Sequence, residues 1–190
     1  MNTSTLLERW RRQQRLPGGR RLFSHALARV VPFVMRLKPM VLELDAGRAM
    51  VRVSDRRAIH NHLGQISPSA VMTLGEYTGL LAINAGLTAG ETAHVTSLNL
   101  EVLRPGCGGL VAECRVDRAE GAPARVRIVS ESGAEQAIVL VGWTTDAEAA
   151  LGGGPAAGSH GGEREPRVGD SVDRGRASEG SSPKDASALL

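Results

Sequence analysis

From Ser67 to Gly86 the chain carries a single charged side chain, Glu76. Ala70, Val71, Leu74, Tyr77, Thr78, Leu81 and Ala82 recur at helical spacing. They leave no face polar enough to meet water, so this segment predicts a helix inside a core. Ser67 fits the N-cap and Pro68 the first helical position. Such a helix has to be wrapped by something else. A carboxylate on it is costly to bury, so Glu76 calls for an explanation.

The flanking segments supply the wrapping. From Met40 the apolar period changes to two: Val41, Leu42 and Leu44, a turn at Asp45-Ala46-Gly47-Arg48, then Met50, Val51 and Val53. This is a hairpin with a short Gly-containing loop. Residues 55–66 are polar and aperiodic. After the helix, 92–104 alternates up to Pro105-Gly106, and 109–119 alternates again up to Gly121-Ala122-Pro123. Arg125–Glu131 and Glu135–Thr144 form a last hairpin around Ser132-Gly133. The expected class is α+β, with a curved antiparallel β-sheet wrapped around a long central helix.

Two N-terminal helices precede it. Residues 4–16 place Leu6, Leu7 and Trp10 on one side and arginines on the other, and Pro17-Gly18-Gly19 stops them. Residues 20–37 are amphipathic with Pro32 inside the pattern, which predicts a kink or break there. Covering the sheet is preferred over lying on a membrane surface. The expected divisions are a basic helical extension at 1–38, the sheet-and-helix domain at 39–147, and a disordered Gly/Ser/charged tail at 148–190.

Aromatic residues make up only 3% of the chain, so the core must be Val, Leu, Ile, Ala and Met. Cys107 and Cys114 lack metal-ligand spacing and predict two free thiols in a reducing cytoplasm. No apolar h-region and no run of 18 apolar residues occurs, so neither a signal peptide nor a transmembrane helix is expected. Arg9, Arg11, Arg12, Arg15, Arg20 and Arg21 face one acid, Glu8, across the first 21 residues. A solvated basic face is preferred over nucleic-acid binding, because Trp10 alone is no stacking platform. Contact of this arm with DNA or anionic lipid stays a third, minor reading.

A hairpin, a buried helix and long antiparallel strands resemble the hotdog fold. The motif residues sharpen this. Asn61, Gly64, Ser67-Pro68-Ser69 and Glu76 keep the spacing of hotdog thioesterases of the phenylacetic-acid-degradation (PaaI) type, which carry Asn, Gly, His-Gly-Gly and then a helix acid. Asn99-Leu100-Glu101-Val102-Leu103-Arg104-Pro105 is similar to their strand ending in Arg-Pro. The DUF4442 branch is most similar, through Leu16-Pro17-Gly18-Gly19-Arg20, Asp55-Arg56-Arg57 and Asn61-His62-Leu63-Gly64. The resemblance spans about residues 15–145.

It implies an acyl-CoA thioesterase built as a homodimer or dimer of dimers, with coenzyme A entering only as part of the substrate and no separate cofactor. Glu76 would act as nucleophile or general base, and Asn61 would orient the thioester carbonyl or the water. A structural carboxylate and a loop-capping Asn are the plain alternatives. The helix start offers N–H groups and partial positive charge to an oxyanion. Pro68, however, stands where the family has the Gly whose N–H is the donor, and proline has none. The N–H of Ser69 is the substitute, and Ser67 replaces the family His. A non-catalytic acyl-binding protein is therefore the alternative function. His94 or Thr96 would help hold the water, and Arg104, Arg56 and Arg57 would meet the phosphates of coenzyme A, unless they are plain surface arginines. His60 and His62 lack a third ligand other than His94 or His25, so no metal is expected.

Overall fold

The computed structural model describes residues 3–88, 90–116 and 122–146. Helix α1 spans Thr3–Gln13 and α2 spans Gly19–Val30. Pro32 breaks the second helical pattern as expected. The residue before a proline is pushed out of the α region, and Val31 sits at φ −120° and ψ 86°. The chain resumes as a 3-10 turn at Pro32–Arg36.

The strands are β1 (Met40–Asp45), β2 (Arg48–Val53), β3 (Ala93–Val102), β4 (Leu110–Arg115), β5 (Ala124–Ser130) and β6 (Glu135–Thr145), with α3 (Pro68–Gly86) between β2 and β3. They form one six-stranded sheet in the order β1-β2-β4-β5-β6-β3, and every pair is antiparallel. Gly47, at φ 68°, turns β1 into β2. After the last β4 residue, Arg115, Val116 donates its N–H to the Gly47 carbonyl at 2.8 Å. The end of the segment 109–119, like the expected tail from residue 148, lies outside the described residues.

Helix α3 lies across the sheet, and two glycines let it come close. A Cβ on Gly75 would stand 2.4 Å from Val139 Cγ2, and one on Gly79 would stand 2.9 Å from Val141 Cγ2. Both valines belong to β6 and are fully buried. With the glycine side of α3 on the sheet, the 3.6-residue period turns Ser69, Thr73, Glu76, Leu80 and Asn84 to the opposite side. This is the hotdog arrangement that the resemblance implied.

The N-terminal helices cover that opposite side. Leu6 and Trp10 of α1 are buried, and Trp10 packs edge-on against Phe23 of α2 with ring centroids 5.0 Å apart. The buried Ser24 hydroxyl ties α2 to the sheet: it accepts the Val41 N–H at 2.8 Å and donates to the Arg20 carbonyl at 2.7 Å. The site between β1 and β2 is irregular, with the register shifting between Val41 and Glu43, so a strand N–H is free for a side chain to take.

Candidate functional site

The loop before α3 is built around Asn61. Its side-chain Oδ1 accepts the N–H groups of Leu63 at 2.9 Å and Gln65 at 3.1 Å, and its own N–H donates to the Gln65 carbonyl at 2.7 Å. Gly64, at φ 73°, makes the left-handed step that closes this turn. The loop is pinned below by Ser67 N–H to the Ile59 carbonyl at 2.9 Å and by Ile66 N–H to the Gly106 carbonyl at 2.9 Å. The Asn61 side-chain nitrogen has no partner among the described residues.

At the start of α3, Ser67 occupies the N-cap position, but its hydroxyl makes no capping bond. The Ser67 carbonyl instead takes the N–H groups of Ala70 at 2.9 Å and Val71 at 3.1 Å. Pro68 has no N–H. The N–H of Ser69 is thus left without a partner among the described residues, at the positive end of a helix 19 residues long.

Glu76 lies about 10 Å farther along the helix axis, at 1.5 Å per residue. It is half-buried, and its carboxylate has no hydrogen bond or ion pair among the described residues. It lines a cavity of about 330 Å³ between α3 and the N-terminal helices, together with Leu6, Leu27, Val31, Phe33, Thr73 and Leu80. Neighbouring Tyr77 is buried, and its hydroxyl finds no partner among the described residues. Burial pushes its phenol up, so it stays protonated. A second cavity of about 200 Å³ is lined by Arg36, His60, Ser67 and Ser69. The two share Phe33 and Thr73 as walls. One face of α3 therefore presents the free Ser69 N–H region and the Glu76 carboxylate to adjoining cavities.

Other expected site residues lie elsewhere. Asn61, Pro68 and Arg104 line a separate small cavity of about 50 Å³, on the side of Val102 and Gln136. Arg56 is half-buried and donates to the Arg36 carbonyl at 2.7 Å, which ties the polar loop to the 3-10 turn. His94 pairs with Asp146, and both are exposed. Thr96 is exposed on edge strand β3, where the register against β6 shifts between Val95 and Ser97. Neither His94 nor Thr96 lines the cavities beside α3.

Two features escape sequence reasoning. One is the pair between His60 and Asp55. The hydrogen bond from His60 holds the Asp55 carboxyl below its usual range, and the Gly108 N–H adds to this at 3.0 Å. The other is Thr73, whose hydroxyl donates to the Ser69 carbonyl at 2.8 Å. The helical step Ser69–Thr73–Glu76 was the available signal for Thr73; no local signal pairs His60 with Asp55. Among the described residues no group of three or more His, Cys, Asp or Glu is placed to hold a metal ion, and no helix is long and apolar enough to cross a membrane.

The sequence matches the family described as a domain of unknown function, DUF4442, over residues 19–149. No curated protein matches it. Among solved structures it is similar to a thioesterase from Haemophilus influenzae, at 16% identity and TM-score 0.55, covering 60% of this chain and 81% of that one. It is similar to the Escherichia coli PaaI protein of the phenylacetic acid degradation operon, at 19% identity and TM-score 0.55, covering 63% and 88%. A mutant thioesterase from Pseudomonas aeruginosa gives 15% identity and TM-score 0.58, covering 64% and 90%. At these identities the likeness is one of fold.

Proposed function

This chain belongs to the DUF4442 family, within the hotdog superfamily, and we propose that it hydrolyses acyl-CoA thioesters with Glu76 as general base. The observation that carries this reading is the lone, unpartnered carboxylate of α3 on the wall of a largely apolar cavity. Two of the structural neighbours are named thioesterases.

Between Ser69 and Glu76 the backbone rises roughly 10 Å, and the Glu76 side chain, tilted toward the helix start, spans part of it. We read Glu76 as the base, acting through one water held by hydrogen bonds of about 3 Å. Glu76 takes a proton from the water as its oxygen bonds to the carbonyl carbon. The oxyanion rests on the Ser69 N–H. When it collapses, the carbon–sulfur bond breaks and the thiolate leaves, taking the proton from Glu76. The products are a carboxylic acid and coenzyme A. Asn61 then serves by shaping the loop that delivers Ser67 to Ser69. Arg36 and Arg56 stand at the polar end, where phosphates would lie.

Two copies would pair through β3. Among the described residues this ten-residue edge strand is bonded to β6 alone, and Leu98 and Val102 on it are exposed. A long apolar edge invites another strand. The free thiols Cys107 and Cys114 suit a reducing compartment such as the cytoplasm.

Pro68 favours one second reading, an acyl-binding protein without turnover. Thiol release from short, medium, long and aryl acyl-CoA substrates separates the two. Hydrolysis that falls about 100- to 10,000-fold in Glu76→Gln is expected for a general base. Full activity in that variant would end the catalytic assignment. Silence across the panel, with acyl-CoA still bound, would move the protein to the binding class.

A further inference from the structure

We infer that the cavity between α3 and the N-terminal helices holds the acyl chain, and that α1 makes it a site for aliphatic chains of limited length. The inference rests on the thioesterase reading of Glu76 and adds the substrate class. The walls are Leu6 of α1, Leu27 of α2, Val31, Phe33 of the 3-10 turn and Leu80 of α3. The apolar walls are aliphatic except at Tyr77, which is buried, and at Phe33, which is 69% exposed and stands where the two cavities adjoin. At about 330 Å³ the space is at the small end of ligand pockets, roughly 300–1,000 Å³.

The polarity along α3 sets the direction of the chain. Arg36, His60 and Ser69 gather at the end near the helix start, so the anionic coenzyme belongs there. Glu76 stands next, level with the thioester. Leu80 and Asn84 lie one and two turns farther on, so the alkyl chain runs from Glu76 toward them. Leu6 closes this space from above. It belongs to a helix that precedes the first family-matched residue, 19, so chain-length preference is set by a segment outside the shared domain. Val31 is 42% exposed on the rim, an apolar surface that a bound chain would cover.

The test is calorimetric titration of the full chain with S-butyl, S-octyl, S-dodecyl and S-hexadecyl coenzyme A thioethers, which cannot be hydrolysed, and with the S-benzyl analogue. Affinity is expected to rise, by up to about fourfold per added methylene, until the cavity is full, and then to level. Leu27→Trp should bring that plateau to a shorter chain. Val31→Trp, at an exposed position that tolerates bulk, should do the same if the Leu27 variant misfolds. Leu6→Ala, which enlarges the space, should move the plateau to a longer chain. An affinity independent of length, an S-benzyl analogue bound as well as S-octyl, or a plateau unmoved in folded variants would overturn the inference. Thiol release from acyl-CoA is read separately. Length-dependent binding without turnover would remove the thioesterase reading and leave the acyl site standing; turnover without length dependence would do the reverse.

Discussion

Replacing Gly75 with alanine adds one methyl group at the place where α3 touches the sheet most closely. The new Cβ would stand 2.4, 2.6 and 2.9 Å from Val139 Cγ2, Cβ and Cγ1. None of these atoms can swing away, because Val139 is β-branched, fully buried and held between β5 and β3. Overpacking of this kind costs about 1–3 kcal/mol, and the severity here argues for the upper end. Alanine returns about 1 kcal/mol through helix propensity. The net expectation is a loss of about 2 kcal/mol, or roughly 4–8 °C in melting temperature. Gly79→Ala is the control, with identical chemistry. Its nearest atom, Val141 Cγ2, is 2.9 Å away and the next, Val126 Cγ2, is 3.3 Å away, so packing and propensity should nearly cancel. Urea unfolding of both variants checks the ranking. Val139→Ala should cost less in the Gly75→Ala background than in the parent, a coupling of about 1 kcal/mol or more. A Gly75→Ala protein as stable as its parent, or no coupling to Val139, would refute the claim that this glycine seats the helix.

Pro68→Gly should change turnover less than about tenfold, since the Ser69 N–H already serves; a gain of about 100-fold, the usual worth of one donor, would remove Ser69 from that role. Asp55 has a folded-state pKa below the ordinary 3.8, so the stability it contributes is complete above that value and is lost as pH falls through the lowered one. The difference in urea midpoint between the parent and Asp55→Asn should therefore be largest near neutral pH and shrink toward pH 3; a difference constant with pH would break the assignment. Burial pushes the Cys114 thiol up to about 12, whereas Cys107 is exposed. Alkylation of the native protein should label Cys107 quickly and Cys114 only in denaturant, as peptide mass spectrometry would read, and equal labelling rates would contradict the burial.

Much of the fold is legible because the signals are local. The run from Ser67 to Gly86, charged only at Glu76, needs a surrounding sheet, Pro32 lacks an N–H, and Gly47 turns a hairpin. The site is legible only as a motif. Asn61 and Glu76 stand at motif spacing, yet they line different cavities, since the turn closed by Gly64 commits Asn61 Oδ1 to the loop's own amides. That competition between side chain and backbone is decided by a three-dimensional turn. The same holds for Ser67, whose residue type suits a cap while its hydroxyl makes none. The cavity wall contributed by Leu6 depends on a helix packing against another some seventy positions away, which no periodicity within either segment records.

The order of the strands has a consequence for how the chain reaches this state. The seats of Gly75 and Gly79 are Val139 and Val141 on β6, the last described strand in chain order, and among the described residues β3 pairs with that strand alone. The hairpin of β1 and β2 can close as soon as it exists. The central helix cannot be seated until more than fifty further residues have been made. Folding should then be limited by a late, long-range closure, with the apolar body of α3 waiting uncovered and open to wrong partners until β6 arrives.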